Sequence, residues 1–422
     1  MVRTYYSLYD RMLQEQRLLR AFAKVKSNKG AAGIDGQNVT DFAEHLSEEI
    51  AQLAHELKNK SYRPKPVRRV EIPKPDGGVR QLGIPTVRDR VVQQALLDIL
   101  QPIFDPDFHP SSYGYRPGRS CHQAIAKASL FIRRYRRRWV VDMDLSKCFD
   151  TLDHELIIQS FRRRVTDGSI LGLLRMFLQS GVMTDDGWQE SKLGSPQGGV
   201  ISPLIANVYL DAFDQHMKKR GHRIVRYADD ILILSCSKRG AENAFAVARN
   251  YLEGELRLRV NERKSRIVHS SKGVRYLGVI IESRYTRLQN EKVREFKDKV
   301  KRITRRNSPV NLGKVINDLN PVLRGFANYF RVAHCRNQFR ELARWVRRRL
   351  RAKQLMLWRR PKRLHRRLRQ LGYQGDFKAI KMSSWRNAAS PLANYAMPNC
   401  WFEDLGLFDL SRVETGYQPH YY

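Results

Sequence analysis

Apolar residues recur at three- and four-residue spacings over residues 9–26 and 39–57, which predicts two amphipathic helices. The glycine-dense stretch Gly30-Ala31-Ala32-Gly33-Ile34-Asp35-Gly36 between them reads as a loop. From Tyr62 to about Gly83 the period shortens. Residues 67–72 and 79–84 are strand-like around the turn Pro73-Lys74-Pro75-Asp76-Gly77-Gly78, a basic β-hairpin carrying Arg68, Arg69, Lys74 and Arg80. Helices are predicted over 88–100 and 203–217. Residues 139–145 form a strand candidate ending in acids, 224–235 read as strand, turn, strand with two adjacent acids at the turn, and 274–281 are another apolar strand run. Beyond about 290 the strand pattern stops, and 291–306 and 338–370 read as helical. The last fifty residues turn aromatic around Trp385, Tyr395, Trp401 and Phe402. No internal repeat and no low-complexity linker interrupts the chain.

A length of 422 residues suits two to four domains, and 42% hydrophobic composition excludes a wholly disordered chain. The five cysteines, Cys121, Cys148, Cys236, Cys335 and Cys400, are widely spaced without a C-x-x-C pair, so neither a zinc finger nor a disulfide framework is signalled. Charge changes the picture most. Seventy-eight Lys and Arg against 42 Asp and Glu give +36, self-repulsion that points to a polyanionic partner. The excess is concentrated: residues 283–370 hold 28 Lys and Arg against 5 Asp and Glu. No apolar run of about 18 residues and no secretory signal are apparent, so the expectation is a cytoplasmic nucleic-acid binder with no membrane partner.

Three acids stand where strands should end: Asp144, and then Asp229 and Asp230. One such carboxylate is usually a turn residue or helix cap. Two adjacent acids between apolar strands, with a third from another strand, are different, because burial raises the cost of ionising them together. Oxygen-only ligands with room for phosphate oxygens suit Mg²⁺. Two ions roughly 3.5–4 Å apart would stabilise both the attacking hydroxyl and the leaving pyrophosphate in nucleotidyl transfer.

Tyr-Ala-Asp-Asp at 227–230 resembles the polymerase signature of reverse transcriptases. It stands in order with other segments: Val141-Asp142-Met143-Asp144-Leu145-Ser146-Lys147-Cys148-Phe149-Asp150, Gly194-Ser195-Pro196-Gln197-Gly198-Gly199-Val200-Ile201-Ser202-Pro203, Leu256-Arg257-Leu258-Arg259-Val260-Asn261-Glu262-Arg263-Lys264-Ser265 and Tyr276-Leu277-Gly278. With Gly33-Ile34-Asp35-Gly36 upstream and Arg324-Gly325-Phe326-Ala327-Asn328-Tyr329-Phe330 downstream, the wording resembles the group II intron reverse transcriptases, or maturases. The absence of cysteine pairs after Trp401 resembles compact bacterial members without an endonuclease domain.

The resemblance implies an α+β fold, a right-hand polymerase whose fingers and palm carry an antiparallel sheet, followed by a basic helical thumb or maturase domain. It divides the chain into an N-terminal extension (1–60), fingers and palm (61–285), thumb (286–370) and a small DNA-binding region (371–422). It implies catalysis and metal binding by Asp144, Asp229 and Asp230, with the Leu145 carbonyl as a further ligand of two Mg²⁺ ions, for which Mn²⁺ can substitute. Asp142, two residues before Asp144 on the same strand face, is the decoy, and Asp150 and Asp153 are read as caps. Lys74, Arg80, Gln197 and Lys264 are expected at the incoming dNTP. Phe149 is expected beneath its sugar, where a 2′-hydroxyl would clash. Arg116, Arg119, Arg347, Arg348 and Arg349 are candidate nucleic-acid contacts, whereas Phe326 and Trp345 are read as core. The partners implied are an RNA template, a DNA primer, dNTPs, group II intron RNA and a DNA target. The sequence leaves open a domesticated enzyme of the same chemistry and an RNA-binding splicing cofactor; oligomeric state is not legible.

Overall fold

The period-2 and period-3.6 stretches become strands and helices in the structure, a computed structural model that describes residues 3–73, 77–184, 187–190, 193–195 and 198–420. Two units result: one holds the chain up to Ala124 and Arg136–Val268, the other Ile125–Tyr135 and the chain from His269 on.

In the first unit each of the two expected N-terminal helices is broken once. Gln14, with φ −56° and ψ 124°, separates Tyr9–Met12 from Glu15–Ser27, and His45 separates Val39–Glu44 from Leu46–Lys58. Asn38 starts the third of these by accepting hydrogen bonds from the Thr40 and Asp41 amides, while Asp41 accepts from the Asn38 amide in return. Strands β1 (Val67–Pro73) and β2 (Val79–Ile84) form the expected hairpin, with Ile72 opposite Arg80. Thr86 then caps the helix Val87–Phe104 through the Asp89 amide. β3 is Trp139–Met143, β4 Val182–Thr184 and β5 Gly187–Gln189. The first sheet runs β2-β1-β4-β5, and its β1–β4 pairing is parallel, a departure from an all-antiparallel arrangement.

The second sheet positions the acids. β6 (Arg223–Tyr227) and β7 (Asp230–Ser235) pair antiparallel, β7 pairs antiparallel with β3, and β8 (Arg266–His269) flanks β3. Ile231 and Ile233 of β7 join the main core with Val141, Tyr209 and Phe213, while Leu232 and Leu234 are buried on the opposite face. Each such side chain contributes about 1.5–3 kcal/mol by leaving water.

In the second unit the expected strand run 274–281 is a hairpin. β9 (Val274–Tyr276) and β10 (Val279–Ile281) are joined by Leu277 and Gly278, both at positive φ, and β11 (Thr286–Leu288) completes a three-stranded sheet. Helices Asn290–Ile303, Leu312–Phe330, Arg336–Trp358 and Pro361–Gln370 follow. The expected helix 338–370 breaks because Pro361 holds Arg360 in extended backbone, with Arg359 at φ 60°. Leu312–Phe330 buries Leu312, Val315, Ile316, Leu319, Leu323, Phe326 and Phe330 on one stripe, leaving Pro321 exposed. Phe326 stacks on Phe296 at 4.1 Å, a core position. Trp345 is half-buried beneath Lys297 and Arg349. No described helix is long and apolar enough to cross a membrane.

Candidate active site

β3 and β7 bring together acids that lie some 85 residues apart. Met143 pairs with Ile231, so the register carried on by one residue sets Asp144 across from Asp230. Asp229 sits in the two-residue turn between β6 and β7, closed by the Tyr227–Asp230 pair. Burial, then the charge of Asp144, raises the Asp229 pKa, while Arg80 and Arg226 oppose the rise. Asp230 is exposed yet hemmed in by protein; desolvation, then Asp229, Asp142 and Asp144, push its carboxyl up to about 7.

Asp142 differs in its partner. The guanidinium of Arg266 on β8 donates to one of its oxygens at 3.0 and 3.1 Å. Asp144 instead receives the neutral amide of Asn261 at 3.0 Å, and its backbone amide donates to Ser265 Oγ at 3.1 Å. Thus the decoy carries its own counter-cation, whereas the carboxylate assigned to the metal is met by a neutral amide.

Among the described residues no group of three or more His, Cys, Asp or Glu is drawn close enough to hold a metal ion by itself. The donors at Asp144, Asp229 and the Leu145 backbone are oxygens alone, and the carboxylates repel one another. That chemistry fits a hard divalent cation whose remaining positions are completed by substrate.

The turn bearing Asp229 is braced from behind by residues that sequence reasoning missed. Ala228 has φ 57°, in the left-handed region that L-residues rarely adopt. Arg226 is fully buried; its Nε lies 2.8 and 2.9 Å from the Asp214 oxygens, and its Nη1 donates to Asn207 Oδ1 and to the Ala228 carbonyl, both at 3.0 Å. Asn207 in turn donates to the Gly114 carbonyl at 2.9 Å. A Cβ on Gly114 would lie 2.3 Å from the Ala228 nitrogen, so only glycine permits this approach. The neighbouring Tyr115 is half-exposed at φ 57°, and its phenol pKa is raised by burial and then by Asp229. The sequence signal for the brace was the Arg preceding Tyr227; its partners lie on the helix Ser202–Lys219.

The other expected residues divide. Arg80 is near enough to act electrostatically on Asp229. Lys74 and Gln197 lie outside the described residues. Phe149 is 7% exposed within the core cluster, its carbonyl accepting from the Ser195 amide at 2.8 Å. A cavity of about 240 Å³ adjoins that loop, lined by Arg69, Gln81, Lys147, Asp150 and Glu190 among others. Lys264 is exposed on the turn after Asn261. Asp153 caps the helix His154–Arg162, as expected.

Arg116 is turned inward, donating to Asp105 and to the His109 and Ser112 carbonyls, so it shapes its loop. Arg119 packs over Tyr113, its ring 5.7 Å away. Arg347 pairs with Asp409 at 3.2 Å, Arg348 lies over Trp385 at 4.5 Å, and Arg349 donates to Thr304 Oγ1 at 2.6 Å. Consecutive residues on a helix point in different directions, and the surrounding C-terminal segments meet all three arginines.

Residues 72–281 match the family model described as reverse transcriptase (RNA-dependent DNA polymerase), and 293–372 match the group II intron maturase-specific domain. The chain is 37% identical over 318 residues to protein YkfC of Escherichia coli, an alignment covering 64% of this chain and 84% of that one. It is 29% identical over 345 residues to the group II intron-encoded protein LtrA of Lactococcus lactis, covering 66% of this chain and 57% of LtrA's length. A solved structure of telomerase from Candida albicans is similar at 12% identity and a TM-score of 0.43, covering 74% of this chain and 63% of that one. With both domain models in sequence order and most of YkfC covered, the chain belongs to the reverse transcriptases of the group II intron type.

Proposed function

We propose that this protein extends a DNA primer on an RNA template, and that it binds group II intron RNA to promote splicing and the return of the intron to a DNA target. The observation that carries the catalytic part is the pairing of β3 with β7, which sets Asp144 beside Asp229 and Asp230 while Arg266 neutralises Asp142. Reverse transcriptases as a family use divalent metal ions. Here two Mg²⁺ ions, for which Mn²⁺ can substitute, would be held by Asp144, Asp229, Asp230 and the Leu145 carbonyl, supplying activation of the 3′-hydroxyl and neutralisation of the leaving group.

The chain's own residues do the positioning. Arg226 fixes the turn that presents Asp229. Arg80 and Lys74 would balance triphosphate charge. Phe149 would lie beneath the sugar and disfavour a 2′-hydroxyl, with Gln197 and Lys264 as further nucleotide contacts. Arg119 would contact the template backbone. We place the extension, fingers and palm, thumb and DNA-binding region at 1–60, 61–285, 286–370 and 371–422. In the helix Pro361–Gln370, Lys362, Arg363, Arg366 and Arg369 are exposed, a basic face suited to phosphates.

Asp229→Ala tests the catalytic assignment. Removing one strong electrostatic stabiliser typically costs about 10²–10³ in rate, and a metal ligand should cost more. Primer extension should collapse while RNA binding, measured by filter retention, survives. Asp142→Ala should retain far more extension than Asp229→Ala. Full extension by the Asp229 variant would defeat the assignment.

A further inference from the structure

A pocket in the second unit is composed of different chemistry. Arg344, Arg347 and Arg351 are spaced i, i+3 and i+7 along the helix Arg336–Trp358, which sets them on one face. Together with Asn394 and Asn399 they line a solvent-open pocket of about 360 Å³. Arg347 and Arg351 are each 8% exposed, so two of the three guanidiniums are built into the fold.

Their partners leave the charge unbalanced. Arg347 Nη1 meets the Asp409 carboxylate at 3.2 Å. Arg351 donates from Nε to the Met397 carbonyl at 2.9 Å and from Nη2 to Asn399 Oδ1 at 3.0 Å, both neutral acceptors. Arg344 is exposed beside them. Three cations therefore line a pocket whose ion pairing, among the described residues, involves one carboxylate. Desolvation, then repulsion from Arg347, lowers the Arg351 pKa to about 10. A buried charge without a counter-ion is costly, and an arriving anion removes that cost. The planar fork of a guanidinium suits phosphate oxygens in particular.

We propose that this pocket binds a phosphate group, specifically a backbone phosphate of a nucleic acid strand, through Arg344, Arg347 and Arg351. The assignment rests on the nucleic-acid-binding reading above and deepens it: one built phosphate site, distinct from solvated basic faces such as that of Pro361–Gln370. Arg351 and Asn399 fix the shape of the pocket by joining the long helix to the start of Asn399–Asp404.

The test is the salt dependence of binding of a labelled single-stranded RNA and a labelled DNA duplex to the full chain and to Arg344→Gln, Arg351→Gln and the double variant. Loss of one phosphate contact flattens the slope of log K against log salt by about 0.7 for the single strand or about 0.9 for the duplex. Each single variant should show up to that change, and the double variant no more than one phosphate's worth, because the arginines share one ligand. Slopes that fall independently, by two phosphates in the double variant, would overturn the proposal in favour of separate surface charges. An unchanged slope in Arg344→Gln would overturn it as well, since that exposed side chain can be altered without disturbing the fold. A parallel arm follows thermal unfolding with added inorganic phosphate. Stabilisation of the wild type but not of Arg344→Gln, with strand slopes unchanged, would assign the pocket to free phosphate and reject the strand. Primer extension by Asp229→Ala is read separately, so failure of the pocket and failure of the polymerase assignment remain distinct.

Discussion

The turn between β6 and β7 and the turn between β9 and β10 are both two residues long, and each follows a tyrosine: Tyr227 pairs with Asp230, and Tyr276 with Val279. Each has an L-residue at positive φ in its first position, Ala228 at 57° and Leu277 at 44°. Each has a side chain donating to that residue's carbonyl, Arg226 Nη1 at 3.0 Å in one and Tyr329 Oη at 3.1 Å in the other. The second positions differ. The β9–β10 turn has Gly278, at φ 79°, where a left-handed backbone is easily adopted. The β6–β7 turn has Asp229, and it is held by a buried guanidinium with Asp214 and Asn207 behind it. Backbone strain of about 1–3 kcal/mol is tolerated where the surroundings over-determine the conformation. The comparison teaches that two turns sharing a left-handed first residue part at the second: Gly278 continues in left-handed backbone, whereas Asp229 is not at positive φ, so that position is open to a carboxylate while the buried ion pair holds the strained Ala228 before it.

Removing the brace should therefore have the largest effect. Arg226→Met leaves Asp214 buried without its cation, a change that typically costs about 3–5 kcal/mol. The double variant Arg226→Met/Asp214→Leu should recover most of that stability, because an apolar pair often replaces a buried ion pair at little cost. Extension by the double variant should remain low, since the Ala228 carbonyl still lacks its donor. Urea unfolding and single-turnover extension measure the two quantities. Wild-type extension by a stable double variant would reduce Arg226 to a packing role and erase the contrast between the turns.

What was legible beforehand follows the same division between local and remote causes. The β1–β2 hairpin, the strand–turn–strand at 224–235 and the three acids were readable because their signals lie within a few residues. The Asp142–Arg266 pair spans 124 residues, so the sequence alone offered only the family's pattern for choosing Asp144 over Asp142. Arg226 stood in plain view beside Tyr227, but its partners on the helix Ser202–Lys219 did not. The helix Leu312–Phe330 was obscured by Pro321 and Gly325, which its buried stripe outweighs. Arg347–Arg349 read as nucleic-acid contacts, and partners 37 and 62 positions downstream of Arg348 and Arg347, with Thr304 for Arg349, engage all three within the fold. The β1–β4 parallel pairing is equally remote.

Exchanging the local devices gives smaller effects of opposite sign. Gly278→Ala forces a Cβ onto left-handed backbone, 3.4 Å from Phe330 Cε1, and should destabilise by about 1–2 kcal/mol. Ala228→Gly relieves the corresponding strain and should stabilise by about 0.5–1 kcal/mol, the gain being reduced by the freer unfolded chain. Thermal unfolding of the two variants checks the signs. Destabilisation by Ala228→Gly would mean that the alanine is unstrained and that the brace has nothing to offset.

The smallest effect concerns pH. Asp211 stands next to the acid that holds Arg226; burial, then Asp214, push its carboxyl up to about 6, although the His109 amide and Gln215 donate to it. A carboxyl with a folded-state pKa above its unfolded value of 3.8 binds its proton more tightly in the fold. Its contribution to stability is therefore greatest below pH 3.8 and is lost as pH rises through about 6. At 1.36 kcal/mol per unit the full loss would approach 3 kcal/mol, and partial solvent access reduces the expectation to about 1 kcal/mol. Asp211→Asn keeps the shape and the acceptor oxygen but cannot ionise. The variant should thus be more stable than wild type by about that amount at pH 8, with the difference closing toward pH 4. Urea midpoints at four or five pH values would show the convergence. The corresponding support in the β9–β10 turn is a phenol hydroxyl and a glycine, so Tyr329→Phe should shift stability by a similar amount at every pH in that window. A pH-independent gain from Asp211→Asn would remove the charge argument and leave only a difference in packing between the two braces.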